Sequence, residues 1–125
     1  MNVAVQEDVY RAARVGELVQ AATRGYHATV FAYGHTGSGK TWTMEGYQYR
    51  NNAGAGAGTS GQAPLPWADF AGTPAHQLGI VPRAVAALFD TIEQQARAPA
   101  GQRRTTRVRV SFVQLYNEQA YDLLN

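Results

Sequence analysis

The sequence predicts an α/β fold in which a short strand leads into a glycine-rich loop and a helix. Residues 30–33 are a nearly continuous apolar run of β-forming types, which is typical of a strand buried on both faces. The glycine-rich loop, residues 34–41, follows this run directly. Residues 7–24 and 82–98 repeat apolar positions at helical spacing, so helices are expected on both sides of the loop in the chain.

The loop fits the phosphate-binding pattern G-x-x-x-x-G-K-[ST], with Gly34, Gly39, Lys40 and Thr41 at its fixed positions. Glycines let the backbone approach a ligand closely, and successive backbone N–H groups then form an anion-binding nest. A helix that begins near Gly39 adds the positive end of its dipole. The Lys40 ammonium would reach the terminal phosphates, and the Thr41 hydroxyl is a suitable Mg²⁺ ligand. The predicted nucleotide-binding residues are Gly34, His35, Thr36, Gly37, Ser38, Gly39, Lys40 and Thr41. A glycine-rich turn of some other α/β protein is the alternative interpretation.

Residues 7–24 are predicted to form one helix that serves packing. Glu7 and Asp8 lie in its first turn, where the helix dipole favours acidic groups. Gly25 stands where glycine commonly ends a helix. The apolar positions recur at steps of three and four residues: Val9, Ala12, Ala13, Leu18, Val19 and Ala22.

Residues 47–77 differ in composition from the rest of the chain and are rich in glycine, alanine and proline. We predict a flexible insertion loop, because no periodic pattern indicates a packed element. Such a long loop within a compact domain is either functional or disordered. Trp67 and Phe70 within it either dock onto the body of the domain or have no partner.

The last third of the chain predicts a helix and a β-hairpin. Pro82 suits the first position of the helix over residues 82–98. Residues 107–116 alternate between polar and apolar types, which indicates a half-buried strand. Asn117 and Glu118 are expected to form a tight turn, with residues 120–124 returning as a second strand.

The composition bounds the class of protein. The length of 125 residues fits at most one domain, and the net charge of +2 gives no strong argument for a nucleic-acid or membrane partner. The chain has no cysteine, which excludes disulfides and thiolate metal sites and fits a reducing compartment. No apolar run approaches the ~20 residues of a membrane span. We therefore expect a cytoplasmic protein that neither binds nucleic acid nor inserts into a membrane.

Several segments, in the same order, resemble kinesin motor domains. Residues 31–46 resemble the nucleotide-binding signature F-A-Y-G-Q-T-G-S-G-K-T-Y-T-M, and residues 6–10 match the Q-E-x-V-Y that opens the first motor helix. Residues 79–84 resemble G-I-I-P-R-A, and residues 110–124 resemble V-S-F-x-E-I-Y-N-E followed by D-L-L. The resemblance implies a phosphate-loop NTPase of the kinesin motor type, with three layers and a central, mainly β, sheet flanked by helices. Residues 1–125 would be an incomplete part of that domain.

The resemblance implies a parent protein that hydrolyses ATP, with Mg²⁺, to move along microtubules in the cytoplasm and cytoskeleton. Its partner would be tubulin, bound through the full-length motor. The two segments that orient water and sense the γ-phosphate in this family, N-x-x-S-S-R-S-H and D-L-A-G-S-E, do not occur in the 125 residues. We therefore predict no catalytic residue here. We expect the isolated chain not to hydrolyse ATP, and to fold poorly because the neighbours of its central strand are absent.

Departures from the family pattern leave alternatives open. His35 replaces the usual Gln and is either solvated, which we favour, or touches phosphate. Trp42 would pack near the adenine or cover an edge of the sheet. The arginines 103, 104, 107 and 109 indicate a solvated loop entering a strand, with a tubulin contact as the alternative.

Two other functions stay open. One is another phosphate-loop NTPase such as a GTPase, although its N-K-x-D motif is absent. The other is a non-hydrolysing nucleotide-binding or interaction fragment.

Overall fold

The computed structural model describes residues 5–46, 74–99, 101 and 105–124. Helices predominate among these residues, and the sheet seen there is a two-stranded antiparallel hairpin. At this level the elements are consistent with the predicted α/β class. The chain divides into two units, Met1–Glu93 and Gln94–Asn125. Most of the predicted insertion loop, together with Trp67 and Phe70, lies outside the described residues.

The predicted first helix is two helices, α1 (Gln6–Ala12) and α2 (Val15–Thr23). The prediction of one helix is wrong because Arg14 adopts a left-handed backbone conformation, with φ of 53°, which breaks the helical ladder. Gly16, the second residue of α2, has a helix propensity about 1 kcal/mol worse than that of alanine, so a continuous helix has little support at this point. The predicted end of α2 is confirmed at Gly25, whose N–H donates to the carbonyl of Ala22 over 3.0 Å.

The strand predicted just before the glycine-rich loop is absent from the described structure. Residues 26–34 have no regular secondary structure, and no described strand pairs with them. Phe31 is 80% exposed and Tyr33 is 95% exposed, so the expectation of burial on both faces is also wrong for these residues here. The physical reason is that a strand needs a neighbouring strand as its hydrogen-bond partner, and the described residues supply no such strand to this segment.

The glycine-rich loop leads into helix α3 (Lys40–Met44), as predicted. A short 3₁₀ turn (Ala75–Gln77) precedes helix α4 (Ile80–Ala96). Helix α4 begins two residues before the predicted start, so Pro82 is its third residue. Proline is tolerated there because the first backbone N–H groups of a helix have no intrahelical partner.

Burial in the first unit is concentrated where α1, α2 and the start of α4 lie. Among the described residues, the buried apolar side chains are Val15, 1% exposed, Ile80, 6% exposed, and Pro82. One polar side chain, Gln6, is buried with them at 5% exposure. Helix α1 contacts both α2 and the 3₁₀ turn. The described helices include none that is both long enough and apolar enough to cross a membrane.

The second unit contains the hairpin of β1 (Val113–Tyr116) and β2 (Gln119–Asp122). The strands pair in the register Val113 with Asp122 and Tyr116 with Gln119. The predicted tight turn is confirmed: Asn117 and Glu118 have φ of 50° and 62°, as a type I′ turn requires. The predicted long strand is confirmed only over its last four residues, because residues 105–112 have no regular secondary structure.

Candidate phosphate-binding site

The Lys40 side chain closes the glycine-rich loop on itself. Its ammonium donates to the carbonyl oxygens of Gly34, over 2.9 Å, and His35, over 2.8 Å. These two carbonyls belong to the first two residues of the loop, whereas Lys40 is the first residue of α3. The hydrogen bonds therefore hold the positive charge of Lys40 close to the start of the loop. An ammonium has three N–H donors, and the two carbonyls use two of them. Within the part of the chain that the structure describes, one donor therefore remains for a ligand oxygen.

The loop backbone curls tightly between Gly34 and α3. The N–H of Ser38 donates to the carbonyl of His35 over 3.2 Å, and this bond forms a turn within the loop. A Cβ atom added at Gly34 would lie 2.6 Å from the Ser38 hydroxyl oxygen and 3.2 Å from the Ser38 Cβ, so a larger residue there would require the Ser38 side chain to shift. Gly39 precedes α3 with a left-handed φ of 91°, a conformation that glycine adopts without strain. Gly34 is thus favoured by the limited space beside Ser38, and Gly39 is favoured by its left-handed backbone conformation.

A shallow cavity of about 340 Å³ lies against this loop and the first turn of α3. Its lining residues are Thr36, Gly37, Gly39, Lys40, Thr41 and Trp42. Its size falls within the range of small-molecule sites, which begins at about 300 Å³. The cavity brings together a lysine, two threonines, a tryptophan and the loop backbone. Such a set suits an anionic ligand with an aromatic part.

The side chains of His35, Thr36, Ser38 and Thr41 in the predicted site are open to solvent, as is the neighbouring Trp42. His35 is exposed, and its Nδ1 lies 2.8 Å from the carbonyl oxygen of Thr36, which requires the proton on Nδ1. The Thr41 hydroxyl is exposed at the edge of the cavity, where it fits Mg²⁺, an ion that keeps several waters and takes few protein ligands beside substrate phosphates. Trp42 is 41% exposed. Its proposed contact with adenine stays a prediction.

The far end of α3 is held by residues that the sequence did not mark as part of the site. The side-chain amide of Gln6 donates to the carbonyl of Trp42 over 2.6 Å. The N–H of Gly79 donates to the carbonyl of Glu45 over 3.0 Å. Both residues belong to the segments 6–10 and 79–84, which resemble family motifs. The family resemblance of these two segments was the signal in the sequence that could have marked Gln6 and Gly79, but it did not indicate that they contact α3.

Arg83 joins the start of α4 to the segment that precedes it. Its guanidinium donates to the carbonyls of Leu78, over 2.8 Å, and Ala75, over 2.7 Å. Burial raises the pKa of the nearby Tyr10 phenol above 10.0, and the positive charge of Arg83 opposes part of that rise. Tyr10 belongs to α1 and Arg83 to α4, so this electrostatic interaction links the two helices.

The comparisons with known proteins identify one family. The model of the kinesin motor domain matches residues 1–125. The chain is 40% identical over 121 residues to "Kinesin-like protein KIN-5C" of Arabidopsis thaliana, covering 97% of this chain. It is 35% identical over 121 residues to "Kinesin-like protein KIF15" of Homo sapiens, covering 96% of this chain and 7% of that protein. The resemblance drawn from the motifs is thereby confirmed, and neither alternative class is favoured.

These matches concern a small part of each relative. The chain spans 10% of the length of the Arabidopsis protein. It is also 35% identical over 108 residues to "Kinesin-like protein KLP1" of Chlamydomonas reinhardtii, covering 86% of this chain and 10% of that protein. No solved structure shows a significant match.

Proposed function

Because the chain belongs to the kinesin motor domain family, we propose that it supplies the nucleotide-binding part of a microtubule-dependent ATPase. The observation that carries the proposal is the position of the Lys40 ammonium, which two loop carbonyls hold at the rim of the cavity. In this proposal the finer fold is the phosphate-loop NTPase fold of kinesin motors. The full-length protein would work on microtubules of the cytoplasmic cytoskeleton.

The proposed ligand is ATP with Mg²⁺, bound by residues 34–41. Backbone N–H groups of the loop would surround the phosphates, and Lys40 would contribute its third donor to a β- or γ-phosphate oxygen. Thr41 would hold Mg²⁺ together with the phosphates, and the metal would neutralise charge on them. Since α3 has only five residues, we expect its dipole to contribute less than Lys40 does.

The proposed role of the described site is to bind a nucleotide, and we assign no catalytic residue in this chain. Phosphoryl transfer also needs a group that orients the attacking water. Among the residues lining the cavity, the titratable side chain is Lys40, a cation that stabilises negative charge. The roles of Lys40, Thr41 and the loop backbone are therefore to bind and to orient.

The proposal is tested in the full-length protein with Lys40→Ala. A hydrogen bond between an ammonium and a phosphate contributes about 1.5–3 kcal/mol, so we expect the Kd for MgADP to rise roughly 10- to 150-fold. The matched control is Arg24→Ala, which removes one exposed positive charge beyond the end of α2 and leaves the cavity intact. Calorimetric titration with MgADP measures both variants.

The second arm of the test is ATP turnover with and without microtubules. The wild-type protein should be stimulated by microtubules, and Lys40→Ala should lose most of that turnover. Nucleotide binding that survives Lys40→Ala at the wild-type Kd would refute the assignment of the site. Turnover that microtubules do not change would refute the motor function while leaving nucleotide binding in place.

A further inference from the structure

The end of α3 that faces away from the glycine-rich loop is attached to the first residue of α1. Gln6 donates its side-chain N–H to the carbonyl of Trp42 over 2.6 Å, across 36 residues of sequence. The Gln6 side chain is buried, with 5% of the residue exposed. A buried amide with a short, non-local bond is not a solvated surface group, so this contact is built into the packing of the unit.

The carbonyl that Gln6 contacts is one that a short helix leaves without an intrahelical partner. The bonds that extend α3 at its ends run from the N–H of Thr43 to Gly39 and from the N–H of Glu45 to Thr41, each over 2.8 Å. The Trp42 carbonyl comes next in this series, beyond the last regular bond, and it accepts from Gln6. Carbonyls in the last turn of a helix need such outside donors.

This contact matters for the loop because α3 is too short to hold its own position. It has five residues, about 7.5 Å of helix. Helices of this length are unstable in isolation and depend on tertiary contacts. Lys40 and Thr41 form its first turn, and Trp42 also lines the cavity. A displacement at the Trp42 carbonyl therefore moves the cation, the hydroxyl and the indole as one body.

We propose that Gln6 is a positioning residue for nucleotide binding, acting through the backbone of Trp42 on the groups of α3 that face the ligand. The inference rests on the proposed function and names a part of that site that the phosphate-loop motif does not contain. Gln6 itself does not line the cavity. Its effect on the ligand is therefore indirect, and it is expected in affinity more than in the identity of the ligand bound.

The chemistry of the contact selects the variants. Gln6→Met keeps the length and flexibility of the side chain but has no N–H donor. Gln6→Glu keeps the shape and places a carboxylate oxygen against the carbonyl oxygen, which replaces attraction with repulsion. The matched control is Gln20→Met, the same substitution at an exposed position of α2.

The experiment uses the full-length protein and MgADP as the probe. For Gln6→Met we expect a Kd about five- to tenfold higher than wild type, the usual scale of one hydrogen bond. Gln6→Glu should be weaker still, and Gln20→Met should bind as wild type. Amide hydrogen exchange without nucleotide is measured in parallel, and Gln6→Met should speed exchange at residues 40–46 while α2 is unchanged.

The second measurement separates positioning from general stability and from failure of the proposed function. A wild-type Kd in Gln6→Met, or exchange that speeds equally in α2 and α3, overturns the proposal. If the wild-type protein binds no MgADP, the proposed function fails, and unchanged exchange at residues 40–46 then overturns the Gln6 contact as well. Faster exchange confined to those residues, together with weaker MgADP binding, supports it.

Discussion

The two ends of the segment between α3 and α4 cross at Gly46 and Gly79, and this crossing leaves no room for a side chain. A Cβ atom at Gly79 would lie 2.7 Å from the carbonyl carbons of Met44 and Glu45. These are backbone atoms, which cannot rotate away as a side-chain end can. A Cβ atom at Gly46 would overlap the carbonyl oxygen of Gln77 and the nitrogen of Gly79. We therefore expect Gly79→Ala and Gly46→Ala to force the two segments apart.

The magnitude follows from two separable terms. Overpacking costs about 1–3 kcal/mol. Separation of the segments also weakens the bond from the Gly79 N–H to the Glu45 carbonyl, about 1 kcal/mol. Gly79→Ala should therefore destabilise the unit by about 2–4 kcal/mol. Gly46 has a left-handed φ of 83°, so Gly46→Ala adds conformational strain of about 1–2 kcal/mol.

A third glycine isolates the conformational term. Gly25 has φ of 100°, but no atom lies within 4 Å of a Cβ built there. Gly25→Ala should therefore cost only about 1–2 kcal/mol. Equilibrium denaturant unfolding of the full-length variants, compared by midpoint at constant slope, gives the three free energies. The expected order of destabilisation is Gly46, then Gly79, then Gly25. A Gly79→Ala variant that unfolds at the wild-type midpoint would refute the crossing.

Three further outcomes are expected. Because burial raises the Tyr10 pKa above 10.0, the native state holds this proton more tightly, so its stabilising contribution is full below pH 10.0 and is lost as the pH rises through the native pKa. Tyr10→Phe should remove an alkaline component from an absorbance titration of tyrosinate, and an unchanged curve would contradict this. Arg83→Met removes donors to two carbonyls within residues 75–78, so limited proteolysis there should accelerate, whereas an unchanged rate would show that the guanidinium is not needed. Binding of MgADP should quench Trp42 fluorescence in a Trp67→Phe background, and no quenching would place the indole away from the base.

Local patterns in the sequence predicted the elements that local interactions determine. The left-handed turn at Asn117 and Glu118, the start of α3 after Gly39 and the end of α2 at Gly25 all follow from short-range backbone requirements. Helix α4 was predicted to within two residues at each end because its apolar stripe is long and regular. The fixed spacing of the glycine-rich loop predicted the phosphate-loop residues, and that assignment stays a prediction.

The remaining features are ones that the periodicity of apolar residues does not encode. The break at Arg14 requires a left-handed residue that is not glycine, and the sequence around it reads as continuous helix. The prediction of a strand at residues 30–33 is wrong because β-propensity depends only on the residue types in the segment, whereas a strand also needs a neighbouring strand to pair with. The hydrogen bond between Gln6 and Trp42 joins residues 36 positions apart, so the sequence around either residue gives no indication of it.

The family resemblance succeeded where periodicity failed because its separate segments meet in space. The segment at Gln6 donates a hydrogen bond to the carbonyl of Trp42 in α3, and the segment at Gly79 donates one to the carbonyl of Glu45, the residue that follows α3. The first residue of α3 is Lys40. The phosphate-loop motif specifies which groups face the ligand, whereas these two contacts fix where a five-residue helix presents them. A chain with the loop motif but without both donors would keep the groups that face the ligand, but their positions would no longer be fixed. The three segments are therefore parts of one physical unit, and their joint presence is better evidence for nucleotide binding than the loop motif alone.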